Sequence, residues 1–497
     1  MTMRLTVNKH ERTCITLILT AILSLAGGDA SADSVPSRVV EKSAPSKAAP
    51  RLLGGVNSAS AIAAVLPAIT ANDVAVLRAK NARSKLFEVG IGRTLPAQFA
   101  TIDLGSIAWI SASDGTRYAT LEFKSTDAAA LRLAIDRRSF PKGASITVYG
   151  TAMPALIYGP FGAAESRSAE IESSNVFWLP VVEGDTARIE LQVGAGVPVN
   201  DRTLNIASIS HLLSSIRFPN QKNLSDLGDS GACNIDIACR ASWVTTGQSV
   251  AKYYVTGPNG GTGICTGTLV NSNTTTTPIP AHFLTARHCV ATQSAASAMQ
   301  FYWFFQRAMC SGANPTSVTE QLGGATFITA VAANDISLVR INSTPPAGAI
   351  YAAWNSTPVS TLASVVALHH PAGDVKKYSE GTVQGFTEYS SNTASSTGSH
   401  IRVAWNQGTT EGGSSGSGLF NSAQQLVGTL HGGGASCATP TQPDWYGRFD
   451  QAYPSLQAWL ASGTNPPPVP PPPPPPPAVV DLSSGVAVSD TVGVGSS

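Results

Sequence analysis

Charge is what this chain has least of. Among 497 residues there are 32 Lys or Arg and 31 Asp or Glu, a charged fraction of 13% and a formal net charge of +1. That is about half the ~25% usual for soluble domains. A balance so near zero excludes a protein whose main partner is nucleic acid or an anionic membrane, because both require a basic field. Long apolar runs are also lacking. The stretch from Cys14 to Ala26 has 13 residues, short of the ~20 that a membrane-spanning helix needs, and no other segment offers a span. Cysteine is absent from residues 33–222; Cys14 stands alone ahead of that gap, and the other six fall between Cys233 and Cys437. Disorder is excluded in turn, because 43% of the residues are hydrophobic, too many for a charge-extended chain.

The ends read as something other than fold. Arg4, Lys9 and Arg12 precede the short apolar stretch, and Ala30-Ser31-Ala32 supplies small residues for cleavage after Ala32. This is the pattern of a secretory signal peptide over 1–32. Its removal leaves six cysteines, an even number, in an oxidising setting. Secretion to the extracellular space is therefore expected. From Pro466 to Pro477 eleven prolines are interrupted only by Val469. A polyproline rod of that length spans roughly 37 Å, so 463–478 is expected to be a linker. Residues 479–497 are too few to bury a core and read as an incomplete C-terminal tail.

Between the ends the chain divides in two. Residues 33–222 alternate apolar and polar positions in short runs, such as Thr120 to Phe123, Ala144 to Tyr149 and Arg188 to Val193. Such period-two runs predict antiparallel strands, while Ser125 to Asp136 could form one short helix. The expectation is a β-rich, sandwich-like pro-region ahead of a disulfide-bonded domain over 223–462. In that second region strands and Gly/Ser/Thr-rich turns alternate at short spacing, and only Tyr453 to Leu460 reads as a helix. The whole is predicted to be all-β, with a barrel or sandwich in the back region.

Three motifs carry chemistry. Phe283 to Cys289 (FLTARHC) delivers His288 at the end of a β-type run, with Cys289 placed to pin the turn. Asn334 to Ile341 (NDISLVRI) puts Asp335 at the head of an apolar strand, where a buried carboxylate could hold an imidazole. Gly412 to Ser417 (GGSSGS) surrounds Ser415 with glycines that let backbone amides point where the hydroxyl points. Asp335 follows His288 by 47 residues, and Ser415 follows Asp335 by 80. Each motif alone has a bland reading as a strand end, a turn or a loop. In the order His, Asp, Ser they form the triad logic of nucleophilic acyl transfer.

These blocks resemble the signature blocks of the chymotrypsin-like, trypsin-fold serine proteases. More narrowly, the region from Gly228 to Leu460 is similar to the bacterial lysyl endopeptidases of the Achromobacter protease type. The likeness rests also on Gly231 to Cys239 (GACNIDIAC), Ala367 to Pro371 (ALHHP), Leu430 to Gly433 (LHGG) and Asp444 to Arg448 (DWYGR). The resemblance implies a chymotrypsin-like double β-barrel with a C-terminal helix. It implies catalysis by His288, Asp335 and Ser415, with the backbone amides of Gly413 and Ser415 as the oxyanion hole. It implies cleavage after basic residues, lysine preferred, with Asp444 at the base of the specificity pocket and His431 beside it. A trypsin-like protease with an Arg/Lys or broader preference at the cleaved residue, or an inactive binding protein on the same scaffold, are the alternatives.

Six cysteines allow fifteen pairings. Cys265 with Cys289 is the local pair that closes the histidine loop, and the resemblance adds Cys233–Cys437 and Cys239–Cys310. One departure from the trypsin pattern, which the bacterial family shares, and one from the bacterial family itself stand out. Ser414 occupies the position before the nucleophile where most trypsin-like enzymes carry Asp, so an ion pair to a freed amino terminus is unavailable and attention moves to the pro-region. No Trp stands between Trp354 and Trp405, and Tyr389 is the nearest aromatic substitute for the family's pocket Trp. Lys222 is a candidate self-cleavage site. His369 and His370 lack a third ligand at metal spacing and are expected to be structural or pocket-lining. No metal and no cofactor is expected. The expected partners are protein or peptide substrates and the chain's own pro-region, and a monomer is expected.

Overall fold

The computed structural model describes residues 33–41, 50–82, 86–162, 176–200, 202–217, 229–274 and 276–461. The expected signal peptide with Cys14, the candidate cleavage site at Lys222, and the expected linker and tail lie outside the described residues.

Two strands come first, β1 (Ser34–Val35) and β2 (Arg38–Val39), followed by β3 (Ser60–Leu66) and the helix α1 (Ala71–Asn81). The strands β4 (Phe87–Arg93), β5 (Arg117–Ser125), β6 (Ala130–Asp136), β7 (Ala144–Gly150), β8 (Thr186–Val193) and β9 (Thr203–Leu212) complete the main elements of the front region. Strand β8 lies between β5 and β7, and β3 joins β5 in parallel. Their inward residues, among them Leu121, Phe123, Ile146, Val148, Ile189 and Leu191, meet Leu131, Leu133, Ile135, Ile206 and Ile209 of β6 and β9 in one core. The front region is therefore a sandwich.

The helix expected over Ser125 to Asp136 is not formed. Ser125 ends β5 and Ala130–Asp136 is β6, paired with β9. Ala130, Leu131, Arg132, Leu133, Ala134 and Ile135 are all buried. A strand covered on both faces loses its apolar-polar alternation, which is why it reads like a helix in sequence.

The back region opens with a short helix α2 (Ala241–Gly247). Six strands then curl into a half-barrel: β10 (Val250–Thr256), β11 (Thr262–Leu269), β12 (His282–Ala286), β13 (Gln300–Trp303), β14 (Ala325–Val331) and β15 (Ile336–Ile341). They pair in the order β13, β10, β11, β12, β15, β14, with α3 (Gln293–Ser297) between β12 and β13. Six more strands close fully: β16 (Ser364–His369), β17 (Lys377–Thr387), β18 (His400–Gln407), β19 (Gly418–Phe420), β20 (Leu426–Gly433) and β21 (Asp444–Arg448). The path runs β16, β17, β18, β21, β20, β19 and returns to β16. The helix α4 (Phe449–Leu460) follows and buries Phe449, Ala452, Tyr453, Leu456, Trp459 and Leu460, covering the expected Tyr453 to Leu460. The short helices α1, α2 and α3 were not anticipated.

The two regions are not independent. Strand β4 pairs antiparallel with β11 of the half-barrel on one side and with β9 on the other, so one continuous sheet runs from sandwich to half-barrel. Strands β1 and β2 reach further, pairing with Trp354–Asn355 and Ile350–Tyr351. Val35 is buried beside Trp354 and Phe449 in the core of the back region.

Candidate active site

His288 stands just past the end of β12, in a turn held by two anchors. The Cys265–Cys289 disulfide ties the turn to β11, and the Arg287 amide donates to the Asp335 carbonyl at 2.8 Å. Asp335 leads into β15, which pairs with β12 along its length. It adopts a left-handed backbone with φ 53°, uncommon outside glycine. Its carboxylate takes two bonds from the same histidine. The His288 amide donates to Oδ1 at 2.9 Å, and Nδ1 lies 2.6 Å from Oδ2. With Asp335 buried, this pair fixes Nδ1 as the protonated nitrogen. Nε2 of His288 has no hydrogen-bond partner among the described residues.

The serine loop is pressed against that turn by its glycines. A Cβ at Gly416 would collide with Thr285 Oγ1 and stand 2.7 Å from the Ala286 amide, and the φ there is +84°. Gly416 donates to the Leu430 carbonyl at 2.9 Å, and the Ser415 carbonyl accepts from the Thr266 amide at 2.9 Å. Ser415 therefore sits at the junction of β11, β12 and β20. The preceding residues are equally constrained. Gly413 has φ +92°, its carbonyl accepts from Thr266 Oγ1 at 2.9 Å, and the Gly412 carbonyl accepts from the Ala372 amide at 2.6 Å. With both carbonyls held, the orientation of the peptide planes leading to Ser415 is set before any substrate arrives.

Ser414 is held by a histidine where the ion pair would otherwise be. His369 Nδ1 lies 2.8 Å from Ser414 Oγ, and its Nε2 lies 3.0 Å from Ser379 Oγ. The Ser379 hydroxyl donates to the Thr409 carbonyl at 2.7 Å, so it accepts from Nε2–H, and Nδ1 accepts from Ser414. Full burial pushes the His369 pKa down to about 3, consistent with that neutral tautomer. His370 is also fully buried and pushed down, first by desolvation and then by the nearby Lys376. His369 ends β16 and His370 follows it, both fully buried.

Asp444 begins β21 and is buried. Its Oδ2 accepts from Trp405 Nε1 at 2.7 Å and from Thr410 Oγ1 at 2.7 Å. Burial pushes its carboxyl up to about 6, against the pull of those hydrogen bonds. Trp405 and Thr410 were not singled out in the sequence, because they lie 39 and 34 residues from Asp444 in the chain. His431 lies on β20 with its Nε2 3.5 Å from Asp335 Oδ2 and its Nδ1 2.9 Å from His400 Nε2. The Tyr389 ring lies 3.7 Å from the His431 ring, centroid to centroid. His288, Asp335 and His431 bring three ligand-type atoms within 4.8 Å of one another, the one such set among the described residues that holds no disulfide-bonded cysteine. Of these atoms His288 Nδ1 and Asp335 Oδ2 are hydrogen-bonded to each other, and the other ring nitrogen of His431 is bonded to His400.

The remaining cysteines form Cys233–Cys437 and Cys239–Cys310, the pairs that the resemblance implies. The first joins the segment at Gly231 to the loop after β20.

A half-barrel packed on a closed barrel, with a histidine held by a buried aspartate and a glycine-bound serine loop at their junction, defines a serine endopeptidase of the chymotrypsin-like class. Residues 227–447 match the lysyl endopeptidase C-terminal domain, and residues 65–213 match the lysyl endopeptidase N-terminal domain. The lysyl endopeptidase of Pseudomonas aeruginosa is 31% identical over 484 residues, which cover 91% of this chain and all of that protein. The chain belongs to the lysyl endopeptidase family. Among solved structures, the active form of the Rv3671c protease from M. tuberculosis overlays at a TM-score of 0.32 and 16% identity, covering 47% of this chain and 89% of that one. The MamO protease domain from Magnetospirillum magneticum overlays at 0.30 and 14% identity, covering 43% and 99%. No helix among the described residues is long and apolar enough to cross a membrane.

Proposed function

We propose that this chain is the precursor of a secreted endopeptidase that hydrolyses peptide bonds after lysine. The observation that carries the lysine preference is Asp444. It is a buried carboxylate whose partners, Trp405, Thr410 and the Ala435 amide, are all neutral. A desolvated carboxylate is costly until a cation joins it, and a substrate ammonium entering between the serine loop and β20 would supply that charge.

The chemistry follows from the hydrogen bonds around His288. Ser415 Oγ attacks the carbonyl carbon while His288 Nε2 takes its proton, and Asp335 stabilises the resulting imidazolium through Nδ1–H. The oxyanion is received by the amides of Gly413 and Ser415, a contribution of about 3 kcal/mol per donor. His288 then returns the proton to the leaving amine, and water hydrolyses the acyl-enzyme by the same steps. In this reading 1–32 is the signal peptide, 33–222 the pro-region, 223–462 the protease, 463–478 a linker and 479–497 the tail. Maturation falls near Lys222.

Hydrolysis of Lys, Arg and Phe amides by the secreted enzyme, with and without Asp444→Asn, tests the specificity. Lysine is expected to lead by at least about tenfold and to lose that lead in the variant. Equal rates on Lys and Arg, or turnover of the Phe amide, would replace it with the broader preference.

A further inference from the structure

The edge of β11 next to the nucleophile is already occupied. Strand β4 lies antiparallel on it, with Ile264 opposite Phe87, Gly263 opposite Glu88 and Thr262 opposite Gly90. Along β11, rising residue number leads toward the site: Cys265 is bridged to Cys289 beside His288, and the Thr266 amide bonds the Ser415 carbonyl. Because the pairing is antiparallel, β4 starts near Ser415 and runs away from it. That is the direction taken by the residues that follow a cleaved bond, since the attacked carbonyl precedes them.

The side chains at the start of this segment fill the surface there. The Phe87 ring lies so close over Gly412 that a Cβ on that glycine would come 2.6 Å from Cδ2. Leu86 covers Gly263, where a Cβ would stand 2.6 Å from its Cγ. Leu86 packs against the cluster holding Cys265 and Cys289, and Phe87 against the cluster holding Ile264, Phe305 and Val375. Both glycines are therefore missing side chains where an apolar pair needs room. The opposite edge of the strand is clamped by α1. The Asn81 side chain accepts from the Glu88 amide and donates to its carbonyl, each at 2.8 Å, and Lys80 pairs with the Glu88 carboxylate at 2.5 Å.

We propose that Gly263, Ile264 and Gly412 form a leaving-group subsite for an apolar residue followed by an aromatic one, and that the chain's own Leu86 and Phe87 occupy it. The pro-region thereby competes with substrates of the enzyme it is attached to. In the sequence the residue before Leu86 is Lys85, so the chain's own order at this place is Lys-Leu-Phe. The inference rests on the lysyl endopeptidase reading above and adds what the enzyme prefers beyond the cleaved bond.

Three probes test it on the enzyme secreted from the full chain. Two quenched fluorescent peptides differ only after their single lysine, one continuing Leu-Phe and the other Gly-Ser. The Leu-Phe peptide is expected to show kcat/KM at least about tenfold higher, the value of burying one aromatic side chain. A synthetic peptide of residues 86–95 should inhibit competitively, and its Phe87→Ala form at least about tenfold more weakly. Equal kcat/KM for the two peptides, or inhibition indifferent to Phe87, would overturn the proposal. A lysyl p-nitroanilide, which has no residue beyond the cleaved bond, is the third probe. If it is hydrolysed while the two peptides are equal, the subsite alone fails; if it is not hydrolysed, the lysyl reading itself fails.

Discussion

His369 Nδ1 accepts a hydrogen bond from Ser414 Oγ at 2.8 Å, a neutral contact at the residue just before Ser415. It needs no newly freed amino terminus, because Ser379, His369, Ser414 and the Glu411 amide form a closed run of satisfied donors and acceptors. His369→Ala removes one of the two partners of each of two buried hydroxyls, at about 1–3 kcal/mol. The expected outcome is a lower melting temperature together with a kcat reduced at least about tenfold, the equivalent of ~1.4 kcal/mol in transition-state stabilisation. Thermal unfolding and steady-state kinetics check it. Unchanged kcat in a destabilised variant would mean that the contact serves stability alone.

Asp444 sets a pH dependence with a definite sign. Its carboxyl is pushed up to about 6 by burial, against ~3.9 in an unfolded chain. A raised carboxyl pKa favours the protonated form of the folded protein. Its contribution to stability is therefore complete below about pH 4 and lost as pH rises through about 6. Cation binding runs the other way, since only the ionised carboxylate attracts an ammonium. The inhibition constant of n-butylamine is expected to rise as pH falls below about 6, and in Asp444→Asn to be weak and flat across that range. A steep pH dependence surviving in Asp444→Asn would assign the titration to another group.

The Cys265–Cys289 bridge holds the His288 turn against β11, closing 24 residues of sequence. Replacing both cysteines by alanine is expected to cost about 3 kcal/mol of stability by the loop-entropy relation. Activity at a temperature where the variant is fully folded should fall as well, because the imidazole loses one of its two anchors. Denaturant unfolding and kcat/KM on the same preparation measure the two effects.

What the sequence disclosed was the local chemistry. His288, Asp335 and Ser415 sit in motifs where the strand end, the strand head and the glycine-flanked turn are visible within six or eight residues. The helix α4 was legible through its apolar face. Strand β6 was not, because residues buried on both faces show no alternation. The partners of Asp444 were hidden for another reason: Trp405 and Thr410 reach it only when β18 and β21 pair across the closed barrel. The packing of the front region onto the back was equally invisible. Edge pairing such as β4 on β11, or β1 beside Trp354, depends on two complementary edges with no signature in either segment.

The central claim is that Ser415 is the nucleophile and His288 its base. Treating the secreted enzyme with an organophosphorus serine reagent, followed by peptide mass mapping, tests it most directly. The account predicts one adduct, on Ser415, formed in step with the loss of lysyl amide hydrolysis and absent when His288→Ala is treated alike. An adduct on another serine, or full hydrolysis by Ser415→Ala, would contradict it.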